Sequence, residues 1–282
     1  MKKVFKLMGL FVLILFSFFY TDKTLNIIKE NDPIMVEINN NKDNYMVPAI
    51  NGSVDGDYII PGINGREVDV DASYSNMKLV GKFNDSSLVY KDVIPDNSIS
   101  LNKDKFIIKG NSRKNMVSIL FVLSNDKYLD NLEKIIVDKN VSVNYFVDYS
   151  YLVNNSTRIK NLSNCEVYSY GNMGKYTSDN LLFSNNLISR ITDNDAIFCI
   201  GNGNKDILSL CSSYGLYTLN PVYINSNDIY MQIKNSISSG SIILLDINYN
   251  TVNNLILIID FINGKGLRLS KLSDLLNENI SN

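Results

Sequence analysis

Histidine is missing from this chain altogether, and with it go the commonest general base near neutral pH and the commonest nitrogen ligand for zinc. Every mechanism that runs through an imidazole is excluded, the Ser-His-Asp triad included. Tryptophan is missing too, which removes the best stacking surface for a sugar ring and leaves 17 Tyr and 12 Phe for that role. Cysteine is scarce: Cys165, Cys199 and Cys211 form no CxxC pair and are odd in number. Each sits in or beside an apolar run, so they read as small buried hydrophobes, with neither a disulfide framework nor a thiolate zinc site expected. Excess charge of one sign is lacking as well. A formal net charge of −2, with no basic stripe interleaved with aromatics after the first six residues, excludes nucleic acid as an expected partner. No metal and no cofactor is expected from this composition.

What is present is a chain of 282 residues, long enough for one large α/β domain with a smaller appendage. It opens MKKVFKLMGLFVLILFSFFYTDK, where Lys2, Lys3 and Lys6 precede an unbroken apolar stretch from Leu7 to Tyr20. A positive flank before a hydrophobic segment, with no small-residue cleavage signal after it, predicts an uncleaved signal anchor over residues 1–21. The bulk of the chain is then expected outside the cytoplasm, as a single-pass membrane protein, or secreted if the segment is cleaved. Residues 22–44 are polar and without sustained periodicity, which reads as a tether. Residues 45–114 read as a small β-rich region of short runs punctuated by Pro48, Pro61, Gly62, Gly65 and Pro95, with one helix over Asp71 to Val80. The alternation in REVDVDAS puts Glu67, Asp69 and Asp71 on one face, either lining a site or solvating an edge strand.

From residue 115 to 282 the texture changes. Short continuous apolar runs (VSILFVL, VSVNYFV, CEVYSY, AIFCI, LYTL, SIILL) alternate with amphipathic segments, as in Asp126 to Asp138, where Leu129, Leu132, Ile135 and Ile136 recur at helical spacing. Further helices are expected over 151–161, 178–192, 205–214 and 251–263, the last capped by Thr251 and Gly264, and around Asp274. Apolar runs without polar alternation are parallel strands covered on both faces, so the pattern predicts βαβ units closing into a barrel or a doubly wound sheet. In either architecture the residues just past the strand ends line the site. That rule selects Leu123 to Asp126, Asp148, Tyr170 to Gly174, Ile200 to Asn204, Asn220 to Tyr223 and Asp246 to Asn250.

The order of these segments resembles the polysaccharide deacetylase (NodB-homology) family. The closing stretch GSIILLDINYNTVNNLILIIDFINGKGLRLSKLSDLL is similar to that family's final strand, helix, strand and helix. The resemblance, over about Val117 to Leu276, implies an α/β fold, a distorted (β/α) barrel, and a metal-assisted deacetylation of glycans. The residues that carry that chemistry are replaced. The family's T-F-D-D-G strand end falls on Val122 and Leu123, its histidine motif keeps Glu166 but puts Tyr170 and Gly174 at the ligand positions, its R-x-P-x-G arginine falls on Cys199, and its late histidine falls on Asp246. The resemblance therefore implies a degenerate member that lacks the metal and catalytic residues.

Three functions follow as expectations. The first is a membrane-anchored, extracytoplasmic, catalytically inactive protein that binds carbohydrate or cell envelope, with Tyr170, Asn202 and Asp246 as binding residues. The second is an active envelope hydrolase working through carboxylates, with Asp246 and Asp148 as acid or base and Glu166 converging on them. The third is a structural partner in a surface assembly. Asp246 and Asp148 have a bland alternative: carboxylates that accept backbone N–H groups where a strand ends. Tyr168 and Tyr170, on one strand face, either pack a sugar ring or pack helices. The GNGN turn at 201–204 offers a flexible anion cradle or a simple turn.

Overall fold

The computed structural model describes residues 2–279. In chain order the elements are α1 (Lys2–Glu30), α2 (Pro33–Asn41), β1 (Ser53–Asp55), β2 (Tyr58–Ile60), β3 (Gly65–Val68), α3 (Val70–Val80), β4 (Tyr90–Val93), β5 (Phe106–Ile107), β6 (Met116–Leu123) and α4 (Leu129–Lys139). They continue with β7 (Val143–Val147), α5 (Tyr149–Asn154), α6 (Ser156–Lys160), β8 (Cys165–Ser169), α7 (Ser178–Ile191), β9 (Phe198–Ile200), α8 (Lys205–Ser213), β10 (Tyr217–Leu219) and β11 (Val222–Ile224). Last come α9 (Ile229–Ser236), β12 (Ile242–Asp246), α10 (Tyr249–Gly264), β13 (Arg268–Leu269) and α11 (Leu272–Leu276).

The chain divides into two compact units, and the division does not fall at residue 114. The first unit holds the residues up to Ala49 together with Asn64–Val93. Its small core is Ile34, Ile38, Val68 and Met77. Residues 22–44, read as an irregular tether, are the end of α1 and the whole of α2. Ile34, Met35 and Ile38 come together on one buried stripe of α2 at helical spacing, and Asp32 caps that helix by accepting from Ile34 N–H at 3.0 Å. The REVDVDAS alternation also stops early. The β3 strand, antiparallel to β4, ends at Val68, and Asp69 turns inward to cap α3 through Ala72 N–H at 3.0 Å. The expected anchor lies within α1. Met1 and several of the side chains in that segment, Lys2, Lys3 and Lys6 among them, lie outside the described residues. Among the described residues no helix is long and apolar enough to cross a membrane, so the fold gives the anchor no support.

The second unit holds Ile50–Ile63 and everything from Ile94 onward. Residues 45–114 are therefore no separate β-rich module. Phe106 and Ile107, both buried, insert β5 in parallel between β2 and β10, so part of that region completes the large unit's own sheet. The strand order is β1-β2-β5-β10-β9 in one sheet and β11-β12-β6-β7-β8 in the other, with β13 beside the start of β6. The expected βαβ pairing is present: β12, β6, β7 and β8 are all parallel. A closed barrel is not, among the described residues. No hydrogen-bonded ladder joins β8 to the short β9, and the Tyr168 ring instead stands edge-on to Phe198 with centroids 5.2 Å apart.

Central strand β6 is buried along Val117–Leu123, as both-face coverage demands. Register puts Asp246, Val122, Phe146 and Tyr168 in one row across four strands, and Leu244, Leu120, Asn144 and Glu166 in the row two residues earlier on the same face. The opposite face looks to the helices: Tyr145 donates its phenol to Glu133 of α4. On the first face α11 covers the starts of the strands, where Leu272 N–H donates to Asn144 Oδ1 at 2.7 Å and Ser273 N–H to Glu166 Oε2 at 3.1 Å. The ends of the strands on that face are left for the site.

Helix bounds moved where side-chain caps decided them. Asn248, not Thr251, caps α10 by accepting from Thr251 N–H at 3.0 Å, and Gly264 is the last helical residue and not the cap. Gly240, ahead of β12, has φ +87° and would bring a Cβ within 2.2 Å of the Gly110 carbonyl, so the turn that launches this strand requires glycine. Cys199 and Cys211, read as unpaired hydrophobes, are joined in a disulfide between β9 and α8. Both are fully buried, and it is the packing of α8 on its sheet that brings them together. Cys165 is the free cysteine.

Candidate functional site

Asp246 is the last residue of β12, half-buried and directly opposite Val122. Its neighbour on the edge is Tyr223 of β11, which the register pairs with Leu244. Tyr223 Oη donates to Asp246 Oδ2 at 2.5 Å and accepts from Asn225 Nδ2 at 3.2 Å. The backbone carbonyl of Asp246 accepts from Thr251 Oγ1 at 2.7 Å, which ties the strand end to α10. Burial and the Asp246 carboxylate push the Tyr223 phenol up to about 12. Tyr170, one residue past β8, is half-buried; its phenol is raised by burial first and then by the charge of Asp246. The structure therefore gathers Asp246, Tyr223 and Tyr170, with Asn225 behind. Around them, the segments past β6, β7 and β12 carry Tyr128 against Tyr249 (ring centroids 6.3 Å apart) and Tyr149 against Phe183 (5.7 Å).

Asp148 and Glu166 do not join this group. Asp148 is buried, and its carboxylate is filled by backbone donors: Ser150 N–H at 2.9 Å and Tyr151 N–H at 3.4 Å on Oδ1, and Met173 N–H at 2.7 Å on Oδ2. It caps α5 and clamps the turn after β8. Met173 is held there in the left-handed region at φ 48°, between Asn172 and Gly174. Glu166, near the start of β8, lies three strands across from Asp246 and two residues earlier on the same face, where it accepts from Tyr168 Oη at 2.6 Å and from both the backbone and hydroxyl of Ser273. The expected convergence of three carboxylates is thus overturned. Strands β6 and β7 stand between Glu166 and Asp246, and both oxygens of Asp148 are engaged by backbone N–H groups that hold the turn. Tyr168, offered as a sugar platform, is buried with its phenol committed to Glu166.

Asn202 sits exposed at the tip of the 201–204 turn, at φ 46° beside Gly203 at φ 75°. Asn204 caps α8 by accepting from Asp206 N–H at 2.9 Å and Ile207 N–H at 3.4 Å, so two of the helix-start donors an anion cradle would use are already taken. No hydrogen bond or ring contact links Asn202 to Asp246 or Tyr170 among the described residues. Cys199, at the arginine position of the resemblance, is in the disulfide.

The positions where the resemblance puts a divalent cation hold Val122, Leu123, Tyr170 and Gly174. Hydrocarbon, a phenol and a glycine do not make a donor set for such an ion. Among the described residues no three His, Cys, Asp or Glu side chains gather as a metal site would need. Tyr223 and Asn225 were not singled out by sequence reasoning beyond the strand-end rule that reached Tyr223. Their role depends on β11 pairing with β12, which no local pattern encodes.

No family model matches the sequence. Over 142 residues the chain is 30% identical to the uncharacterized protein YlxY of Bacillus subtilis, a stretch that is 50% of this chain and 44% of that protein. The chain thus matches less than half the length of that relative. Among solved structures it is similar to wild-type BA3943, a CE4 family pseudoenzyme from Bacillus anthracis, with TM-score 0.64 and 23% identity over 89% of this chain and 97% of that one. A mutant of the same protein, described as having restored enzymatic activity, is equally similar at TM-score 0.64 and 23% identity, over 89% of this chain and 100% of that one. The Bc1960 peptidoglycan N-acetylglucosamine deacetylase is similar at TM-score 0.53 and 18% identity, over 60% of this chain and 91% of that one. At such identities the likeness is one of fold.

Proposed function

From a chain that is, by fold, a degenerate relative of the polysaccharide deacetylases, the CE4 carbohydrate esterases, we infer a glycan-binding protein of the cell envelope that does not turn its ligand over. The observation that carries this reading is the row Asp246–Val122 at the strand ends. Where the fold's active members need a water-activating centre, this chain has a hydrocarbon and a carboxylate engaged by Tyr223. Tyrosines at the rim supply faces and hydroxyls suited to sugar rings. The similarity to a peptidoglycan N-acetylglucosamine deacetylase supports an amino-sugar polymer as the ligand class. A location outside the cytoplasm is supported by the positive flank and apolar run at the start of the sequence, and by the Cys199–Cys211 disulfide, since such bonds persist in oxidising compartments.

The test is direct. The purified chain is incubated with peptidoglycan and with N-acetylglucosamine oligomers, and both retention and released acetate are measured. Retention without acetate is expected. Acetate release that Asp246→Asn abolishes would overturn the reading in favour of carboxylate catalysis.

A further inference from the structure

We propose that Asp246 and Tyr223 form a recognition site for the free ammonium group of a de-N-acetylated amino sugar, a proposal that rests on the glycan-binding reading above. Asp246 makes no ion pair among the described residues; the ion pairs of this unit lie elsewhere, at Lys105–Asp104, Lys139–Asp260, Lys205–Asp57 and between Arg158 and both Asp126 and Asp130. Its Oδ2 receives the Tyr223 phenol, whereas no protein donor reaches Oδ1 among the described residues. Its surroundings are neutral: Val122 on the next strand, Tyr223 at its side and Tyr170 near enough for its phenol to feel the charge. A half-desolvated carboxylate without a counter-charge attracts a cation, and tyrosine rings add to that attraction through their faces.

The chemistry of the pair selects which cation. A single carboxylate with no further acidic, thiol or imidazole donor is too few ligands for Ca²⁺ or Zn²⁺. An ammonium on a sugar ring has N–H donors to place on Oδ1 and keeps the ring free to lie against tyrosine. The same pair disfavours the N-acetyl form. The Tyr223 proton is committed to Asp246 and one Asn225 amide N–H to Tyr223, so Oδ1 of Asp246 is the acceptor on offer, which an ammonium with three N–H donors satisfies better than an acetamide with one. A site built to accept hydrogen bonds discriminates against a ligand that has fewer to give. The fold that elsewhere removes acetyl groups would here read the result of their removal.

The experiment is calorimetric titration of the full chain with a glucosamine tetramer and an N-acetylglucosamine tetramer at about pH 6, where an ordinary amine is protonated. The glucosamine tetramer is expected to bind about tenfold more tightly or better, as a charge-assisted hydrogen bond implies. Asp246→Asn is expected to bring the two affinities within about twofold of each other, since the ammonium loses its counter-charge. Asp179→Asn, an exposed acid at the start of α7, should retain the preference. Equal affinity for the two tetramers in the native protein would overturn this inference and leave the glycan reading intact. A preference that survives Asp246→Asn would overturn it too, and would assign the effect to diffuse negative charge. Binding of neither tetramer would overturn both readings.

Discussion

Tyr223 and Asp246 meet across the β11–β12 pair, phenol on carboxylate at 2.5 Å, at the strand end where the resemblance to the deacetylases would put a histidine. Burial and this acceptor hold the phenol's proton, pushing it up to about 12. The folded state therefore binds that proton more tightly than the unfolded chain, whose tyrosines titrate near ~10. The stabilisation is complete below about pH 10 and is lost as pH rises through about 12. Asp246→Asn removes the negative acceptor, so the Tyr223 phenol should titrate lower and the alkaline loss of stability should shrink. NMR titration of ring-labelled tyrosine measures the shift; a Tyr223 resonance that titrates unchanged in the variant would contradict the contact.

The disulfide makes a countable prediction. Denatured without reductant, the chain should expose one reactive thiol, Cys165, and with reductant three. In the folded protein even Cys165 should react slowly, since burial pushes its thiol up to about 12. Replacing Cys199 and Cys211 together by Ala should lower unfolding stability by about 2–4 kcal/mol, the usual effect of opening a short loop. Denaturant titration reads that loss. Three thiols reactive without reductant would remove the bond from the structure and, with it, the support it lends to an oxidising compartment.

The parts of the fold that were legible in sequence are those whose signal is local. VSILFVL, VSVNYFV, CEVYSY and SIILL became the parallel strands β6, β7, β8 and β12 because continuous apolar runs bounded by polar segments have few other uses. The rest depends on partners far away in the chain. Phe106 and Ile107 form a two-residue strand only because β2 and β10 flank them, and α2 is helical because Ile34 and Ile38 find Val68 and Met77. Within the site, Asp246 and Tyr170 were reached by the strand-end rule. The Tyr223 contact was not, since it requires the β11–β12 register. Asp148 looked the same in sequence as Asp246; only the turn that brings Met173 N–H onto it distinguishes a cap from a candidate acid.

Glu166 gives a prediction about the far end of the sheet. Its carboxylate is the acceptor for Tyr168 Oη and for both donors of Ser273, so it fixes the start of α11 against β8. Glu166→Ala should cost about 1–3 kcal/mol, because the buried Tyr168 phenol loses its acceptor together with the two partly exposed donors of Ser273. Glu166→Gln, which keeps one acceptor oxygen, should cost less. Hydrogen exchange should show the amides of Leu272–Leu276 losing protection first, while glycan retention at Asp246, three strands across, is unchanged in any variant that stays folded.

Asp148 separates a capping role from a chemical one by its response to two substitutions. As a cap it needs an oxygen that accepts from Ser150 and Tyr151 N–H, and Asn supplies that almost as well as Asp. Asp148→Asn should therefore fall short of the loss in Asp148→Ala, which should reach about 1–2 kcal/mol for the cap alone and more once Met173 N–H is left without its acceptor. An acid or base would respond in the other way, since Asn cannot exchange a proton and would be as damaging as Ala. Unfolding titrations of the two variants, read beside their glycan retention, decide between the roles. Equal stability of both variants with an equal loss of a measured turnover would return Asp148 to the list of catalytic candidates. Graded stability with unchanged retention would confirm that this carboxylate holds the turn beneath Tyr170 and leaves ligand contact to Asp246 and Tyr223.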